Sequence, residues 1–256
     1  MSSSPELKLY LPECSTVRVV ECSPTSWMIQ LALEEKDLPY QVKMLPPATG
    51  KDANPELLAK NPRGTFPVLL DGSIVVYEPF AIMEYLEHAH PDPPLLPGTN
   101  GLRALALTRL HEVRNLTEVS ERVFSYLSRT RGKDLEPAVV YGLADALHDE
   151  LFFWEYYYGV SHWAAGSELT FADLAVFVHL ATAVHLGLPL GAYPHLKSLY
   201  QRMRNRPSVD HTWPAPWKSY PYSFLQPAEP DLEGPRAALR RATRSRGDRG
   251  WACVRV

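Results

Sequence analysis

The chain has 256 residues, of which 45% are hydrophobic and 21% are charged, and its formal net charge is −3. These values are typical of a folded soluble protein with room for two modest domains, and the sequence lacks the basic stripe that nucleic-acid binding requires. The cysteines Cys14, Cys22 and Cys253 have no CxxC or CxxH spacing, so we expect neither a disulfide framework nor a metal site.

The first part of the chain predicts alternating strands and helices. Residues 1–14 show no clear period and are interpreted as an N-terminal extension, and the β-branched run Val17–Val20 predicts a first, buried strand. Ser23-Pro24 favours a helix start, since an oxygen side chain suits the N-cap and proline suits the first helical position. The residues that follow continue this helix to Lys36.

Further elements complete this part of the chain. The alternation in Tyr40–Leu45 predicts a second strand, and residues 55–60 predict a short helix. Two apolar runs within residues 68–76 flank an Asp-Gly pair, which favours the turn of a β-hairpin. Residues 80–88 again predict a helix, so the order of elements is β-α-β-α-β-β-α.

A proline-rich linker, residues 93–99, separates these elements from a part of the chain in which strand patterns nearly vanish. Helices are predicted at four places: 102–127, 135–158, from Thr170 onward, and 193–205. The third helix opens with a capping-box pattern, in which Thr170 caps backbone amides and Asp173 reaches back to the helix start.

Membrane insertion and secretion are not expected. The most apolar run, residues 174–190, is interrupted by two histidines and a proline, which favours a buried helix over a membrane span. The N-terminus lacks the basic and apolar regions of a signal peptide, so we expect a cytoplasmic protein. The Arg-, Pro- and Gly-rich residues 223–256 are expected to form a disordered tail.

Five sequence blocks resemble motifs of the cytosolic glutathione transferase superfamily, in the order that the family has them. The blocks are Leu31–Tyr40, Asn61–Gly72, Glu78–Leu86, Thr170–Leu174 and the Arg206–Trp217 segment. Together they cover roughly residues 16–220, and the serine-type tau and rho-like classes are the nearest. The resemblance implies a homodimer that conjugates reduced glutathione to a small hydrophobic electrophile, without a metal ion.

The resemblance also implies how the chain is divided. We expect an α+β domain with the thioredoxin-like βαβαββα order over residues 15–92, and the linker over 93–99. An all-helical glutathione-transferase domain is expected over residues 100–222. The extension, residues 1–14, and the tail, residues 223–256, lie outside the two domains.

Glutathione contacts are carried over from the resemblance residue by residue. A cis bond between Phe66 and Pro67 would let the Phe66 backbone pair with the cysteinyl part of glutathione, where an isolated proline would be trans at a strand edge. Glu78 would bind the γ-glutamyl ammonium, although such a residue can also simply complement a helix dipole. Lys51, Lys60 and Thr65 would lie near the glycine end, with the alternative that either lysine is simply solvated.

Pro79 departs from the family pattern, which has serine at this position. Proline suits a first helical turn, but it removes a hydroxyl and a backbone N–H that would hold the γ-glutamyl carboxylate. We therefore expect weaker glutathione binding or a shifted pose. This residue also favours the main alternative, a non-catalytic interaction module such as translation elongation factor 1 gamma or the fungal nitrogen-regulator relatives.

Ser23 is the catalytic candidate, because it occupies the position of the activating hydroxyl in serine-type classes. Its O–H would donate to the glutathione sulfur, and the helix N-terminus would add its field, so that both favour the thiolate. The simpler interpretation is that Ser23 only caps the helix, with Thr25 and Ser26 as alternative hydroxyls. Cys22, one residue earlier, would serve an omega-like thiol transferase, or be a small buried hydrophobic residue.

The pocket for the second substrate is expected between the first long helix of the helical domain, the loop near Ser23 and the C-terminal segment. Five residues are candidates to line it: Trp27, His111, Arg114, Asn115 and Trp217.

Overall fold

The structure is a computed structural model that describes residues 7–13, 23–46, 54–130 and 135–218, without the side chains of residues 128, 129, 216 and 218. Its first part contains strands and helices in the order β1 (Leu7–Pro12), α1 (Pro24–Glu35), β2 (Tyr40–Leu45), α2 (Pro55–Leu58), β3 (Val68–Asp71), β4 (Ile74–Tyr77) and α3 (Pro79–Ala89). The second part is helical: α4 (Asn100–Arg129), α5 (Pro137–Val160), α6 (Phe171–His185), α7 (Pro194–Arg204) and α8 (Pro207–Thr212). The predicted fold class, a thioredoxin-like domain followed by an all-helical domain, is confirmed.

The first strand corrects the sequence analysis. β1 is Leu7–Pro12, within the stretch that was interpreted as an extension, whereas Val17–Val20 lies outside the described residues. The alternation Leu7, Leu9, Leu11 was hidden because Tyr10, between them, is also buried, at 5% exposure. The three leucines join the main core, and Tyr10 joins a second small core on the other face of the sheet.

The four strands form one mixed sheet in the order β2-β1-β3-β4. β1 pairs parallel with β2, whereas β3 pairs antiparallel with both β1 and β4. Asp71 pairs with Ile74, so the hairpin loop is Gly72 and Ser73, one residue later than the predicted Asp-Gly turn. Gly72 has a φ of 57°, which glycine adopts without a steric penalty.

The helical part was predicted closely except at its end. α4, α5, α6 and α7 lie within about two residues of the predicted bounds. α8 was missed because its six residues, PSVDHT, show no apolar period. No helix within the described ranges is long and apolar enough to cross a membrane.

α6 is the buried centre of the helical domain, and a carboxylate fixes its start. Asp173 accepts hydrogen bonds from the Thr170 backbone N–H and hydroxyl, each at 2.8 Å, which confirms the predicted capping box. Its other oxygen accepts from Tyr158 Oη at 2.9 Å and from the Ala164 N–H at 2.7 Å. These contacts tie the end of α5 and the following loop to the first turn of α6.

Both ends of α1 are held by the C-terminal segment. At its C-terminal end, Glu35 accepts from Arg206 Nε and Nη2, each at 2.6 Å, and from Ser208 Oγ. At its N-terminal turn, Trp27 Nε1 donates to Thr212 Oγ1 at 2.9 Å. α8 therefore lies along α1 and connects the helical domain to the helix that begins at Ser23.

A buried ion pair joins α1 to α3 and the linker. The Lys36 side chain is fully buried, and its ammonium lies 2.8 Å from Glu87 Oε2. The ammonium also donates to the carbonyl oxygens of His90 and Pro93, at 2.8 and 3.0 Å. The Glu87 carboxylate accepts from two linker amides, those of Leu95 and Leu96.

The buried His179 should make stability depend on pH. Its Nε2 lies 3.0 Å from Thr117 Oγ1, and burial lowers the pKa of His179 from 6.5 to about 3. The folded protein therefore binds fewer protons at this site than the unfolded chain in that range. The stability that the neutral His179 contributes is complete above the unfolded pKa of 6.5. As the pH falls from there towards about 3, the free energy of unfolding decreases by about 1.4 kcal/mol per pH unit.

Urea unfolding of the wild type and of His179→Gln at several pH values would test this expectation. Glutamine does not ionise, so the variant should lose the part of the acid sensitivity that His179 contributes. His162→Gln, a change at an exposed histidine, should leave the slope unchanged. Equal slopes for wild type and His179→Gln would contradict the expectation.

Candidate active site

Strand register brings the predicted ligand-binding residues to one edge of the sheet. Val68 at the start of β3 pairs with Tyr77 at the end of β4, and also with Tyr10 near the end of β1. Pro67 directly precedes β3, and Glu78 directly follows β4. Both residues therefore lie at the edge where β1 ends.

Helices α1 and α3 both begin at this edge. α1 connects the end of β1 to the start of β2, and these strands are parallel, so α1 runs back along them from this edge. The two helices pack together, and Lys36 after the end of α1 donates to the carbonyl of His90 after the end of α3. They have 12 and 11 residues, and both are therefore about 17 Å long. Two helix N-termini with their partial positive charge thus face the same edge.

Ser23 is the N-cap of α1. Its backbone is extended, and its Oγ accepts from the Ser26 N–H at 3.3 Å. The hydroxyl oxygens of Ser23 and Thr25 lie 2.8 Å apart. Ser23 is half-buried, so it caps the helix while part of it stays accessible to solvent.

The peptide bond between Phe66 and Pro67 is cis, as the family resemblance implied. Pro67 is buried, Phe66 is half-buried, and Thr65 is exposed. The Asn61 amide donates to both the backbone oxygen and the Oγ1 of Thr65, each at 2.9 Å. Asn61 thus fixes the turn that precedes the Phe66–Pro67 bond and holds the predicted contact residue Thr65 in place.

Glu78 has an unusual backbone conformation at the start of α3. Its φ is +70°, a region that L residues rarely adopt, and its side chain makes no cap hydrogen bond. Strained residues of this kind are concentrated at functional sites. The exposed carboxylate lies beside a first helical turn in which Pro79 has no N–H, so only Phe80 and Ala81 offer amides there.

Comparisons with known proteins identify the family. The family model for the N-terminal domain of glutathione S-transferases matches residues 22–89, and the family model for their C-terminal domain matches residues 141–211. The chain belongs to the glutathione S-transferase family.

Individual relatives agree with this assignment. Glutathione S-transferase A of Pleuronectes platessa is 30% identical over 204 residues, which cover 78% of this chain and 91% of that protein. The crystal structure of a glutathione S-transferase from the Antarctic clam Laternula elliptica matches with a TM-score of 0.72 and 30% identity, over 89% of this chain and 99% of that one. FtsZ-localized protein A of Caulobacter vibrioides is 30% identical over 200 residues, which cover 72% of this chain and 84% of that protein.

Two residues predicted for the second-substrate pocket lie in a buried aromatic cluster. The rings of Trp27 and Trp217 are 5.4 Å apart, and Trp213 is 5.4 Å from each of them. Trp27 and Trp217 are only 4% and 6% exposed. They pack the C-terminal segment onto α1, and their role in a pocket stays a prediction.

The other three candidates lie on α4. His111, Arg114 and Asn115 are exposed, and their spacing puts them on one face of the helix. The His111 ring is 5.6 Å from the ring of Phe80, in the first turn of α3. An exposed polar face of the helical domain therefore lies next to the start of α3.

Two predicted residues, Lys51 and Cys22, lie outside the described residues.

The structure also shows a cluster of polar and charged side chains near this edge that sequence reasoning missed. Lys43 lies 2.7 Å from Glu56, and this hydrogen bond lowers the pKa of the Glu56 carboxyl. Glu56 also accepts from Tyr10 Oη at 3.2 Å. No local pattern predicts the group, because its members come from β1, β2 and α2.

Proposed function

We propose that this protein conjugates reduced glutathione to a small hydrophobic electrophile. The observation that carries the proposal is the convergence at one sheet edge of Phe66, Pro67 and Glu78 with the N-termini of α1 and α3. An extended tripeptide with two carboxylates requires backbone pairing at its centre and positive potential at those carboxylates. The family membership supports the same activity in general terms.

Each residue has a distinct role in this proposal. The Phe66 backbone pairs with the cysteinyl residue of glutathione, and the Glu78 carboxylate binds the γ-glutamyl ammonium. The start of α3 faces the γ-glutamyl carboxylate, through the amides that remain after Pro79. Lys51 and Thr65 serve the glycine end.

Ser23 stabilises the reactive thiolate in this proposal. Its O–H donates a hydrogen bond to the glutathione sulfur, and the α1 N-terminus adds a favourable field. Both effects favour the anion and lower the thiol pKa. The thiolate then forms the new carbon–sulfur bond, and the electrophile either expels a leaving group with its bonding electron pair or, in an addition, takes up a proton. Ser23 itself forms no covalent bond.

Ser23→Ala tests this role. A hydrogen bond to a charged group contributes about 1.5–3 kcal/mol, so we expect the rate near neutral pH to fall by about 10- to 150-fold. The pKa of the bound thiol should rise by about one to two units. Steady-state conjugation to a general aromatic electrophile over a pH series measures both quantities. A variant with wild-type rate and thiol pKa would contradict the role of Ser23.

A second function is favoured by Pro79 together with the similarity to a relative named FtsZ-localized protein A. In this alternative the chain is a non-catalytic interaction module. Calorimetric titration with glutathione distinguishes the two functions, because the module would show neither heat of binding nor turnover. We also expect the protein to be cytoplasmic and to form a homodimer. Sedimentation analysis would test the dimer.

The third proposed function, which rests on the sequence alone, is an omega-like thiol transferase that uses Cys22. A glutathione mixed disulfide trapped at Cys22 would support it. Undiminished activity of Cys22→Ala would exclude it.

A further inference from the structure

The hydroxyl of Ser23 has a defined set of hydrogen-bonding partners. A serine hydroxyl carries one proton and two lone pairs. One lone pair of Ser23 Oγ accepts from the Ser26 backbone N–H at 3.3 Å. Among the described residues, the other contact of Ser23 Oγ is to Thr25 Oγ1 at 2.8 Å, and either oxygen could be its donor.

A ligand that accepts the Ser23 proton removes this ambiguity. Ser23 has a single proton, so if it donates to a thiolate it cannot also donate to Thr25. The 2.8 Å contact is then retained only if Thr25 is the donor. We propose that Thr25 is a positioning residue, which donates its hydroxyl proton to Ser23 Oγ and thereby directs the Ser23 proton at the glutathione sulfur. This inference rests on the proposed role of Ser23.

The arrangement fixes both the direction and the strength of the Ser23 donor. With both lone pairs occupied by N–H and O–H donors, the Ser23 hydroxyl has one free direction, and its proton points there. A hydroxyl that accepts hydrogen bonds is also polarised into a better donor, by about 10–30% per bond. Thr25 is half-buried in the first turn of α1, where the backbone holds it close to Ser23.

Ser26 does not replace Thr25 in this role. Within the described part of the chain, Ser26 Oγ is buried and has no hydrogen-bond partner. Ser26 therefore supports Ser23 only through its backbone N–H, which a change of its side chain leaves in place.

Thr25→Val tests the inference, because valine keeps the shape of threonine and removes only the hydroxyl. We expect the rate at slightly acidic pH to fall about three- to tenfold, the worth of a neutral hydrogen bond. The pKa of the bound thiol, read from the ultraviolet absorbance of the thiolate, should rise by roughly 0.5–1 unit. The KM for glutathione should stay within about twofold, and Thr25→Ser, which retains a hydroxyl, should keep the wild-type thiol pKa.

A matched control and a double-mutant cycle complete the test. Thr108→Val removes an exposed hydroxyl that donates to the Ala104 carbonyl on α4, and it should change neither rate nor thiol pKa. In a Ser23→Ala background, Thr25→Val should have no further effect on the thiol pKa.

The outcomes separate the inference from the function on which it rests. If Ser23→Ala retains the wild-type rate and thiol pKa, the proposed role of Ser23 fails first. If Ser23→Ala loses rate while Thr25→Val matches wild type, only the positioning role is overturned. It is equally overturned if Thr25→Ser raises the thiol pKa as much as valine does, or if valine still raises it without Ser23.

Discussion

Replacing Pro79 by serine should tighten glutathione binding by about a hundredfold. The change restores a backbone N–H and a hydroxyl at the first position of α3, next to Glu78 and at the sheet edge where the ligand is proposed to bind. Each hydrogen bond to the γ-glutamyl carboxylate would contribute about 1.5–3 kcal/mol, and the two share one acceptor group, so we expect less than their sum. Isothermal titration calorimetry with reduced glutathione measures the effect directly.

The control for this variant is another proline at the first position of a helix. Pro137 begins α5 and is exposed, so Pro137→Ser makes the same chemical change away from the proposed site. It should leave glutathione affinity unchanged. If Pro79→Ser also left the affinity unchanged, the γ-glutamyl carboxylate would not lie at the start of α3.

Replacing Lys36 by methionine should lower the free energy of unfolding by about 3–5 kcal/mol. Lys36 and Glu87 are buried to 0% and 6% side-chain exposure, and removal of the cation leaves an uncompensated carboxylate inside the protein. The carbonyls of His90 and Pro93 also lose their donor. Urea denaturation measures this loss of unfolding free energy, provided that the dependence of the free energy on urea concentration is the same for the two proteins.

Two further variants make this measurement specific. Lys43→Met breaks the Lys43–Glu56 pair, whose side chains are 48% and 36% exposed, and should lower the free energy of unfolding far less than Lys36→Met does. Adding Glu87→Gln to Lys36→Met should recover part of the loss, because it removes the unpaired charge. If Lys36→Met lowered the free energy of unfolding as little as Lys43→Met does, the buried Lys36–Glu87 pair would contribute little to stability.

Local chemistry made much of the fold predictable. Ser23-Pro24 marks the start of α1, Tyr40–Leu45 is a strand over the predicted range, and Thr170 and Asp173 form the predicted capping box. At both helix starts the N-cap residue also hydrogen-bonds to a residue of the first turn, and the strand is marked by its own alternation of residues. The hairpin, predicted over residues 68–76 and observed to Tyr77, likewise carries the register that brings Pro67 and Glu78 together.

The features that escaped prediction depend on contacts between distant parts of the chain. β1 was missed because Tyr10 is buried by residues of β2, β3 and α2. Lys36 follows two glutamates, a pattern typical of an exposed helix end, and its partners come from α3 and the linker. The pairing of Trp27 with the C-terminal tryptophans likewise has no local pattern.

The contacts between α8 and α1 join the first and the last α-helices of the described part of the chain. Trp27 and Thr212 are 185 residues apart, and Glu35 and Arg206 are 171 apart. A ribosome adds about 5–20 residues per second, so newly made α1 waits roughly ten to forty seconds for these partners. Until then the N-terminal turn of α1 lacks the hydrogen bond between Trp27 and Thr212 of α8. An unfinished chain therefore carries Ser23 on a helix that lacks its contacts to α8, and these contacts form only after the end of the helical domain has been synthesised.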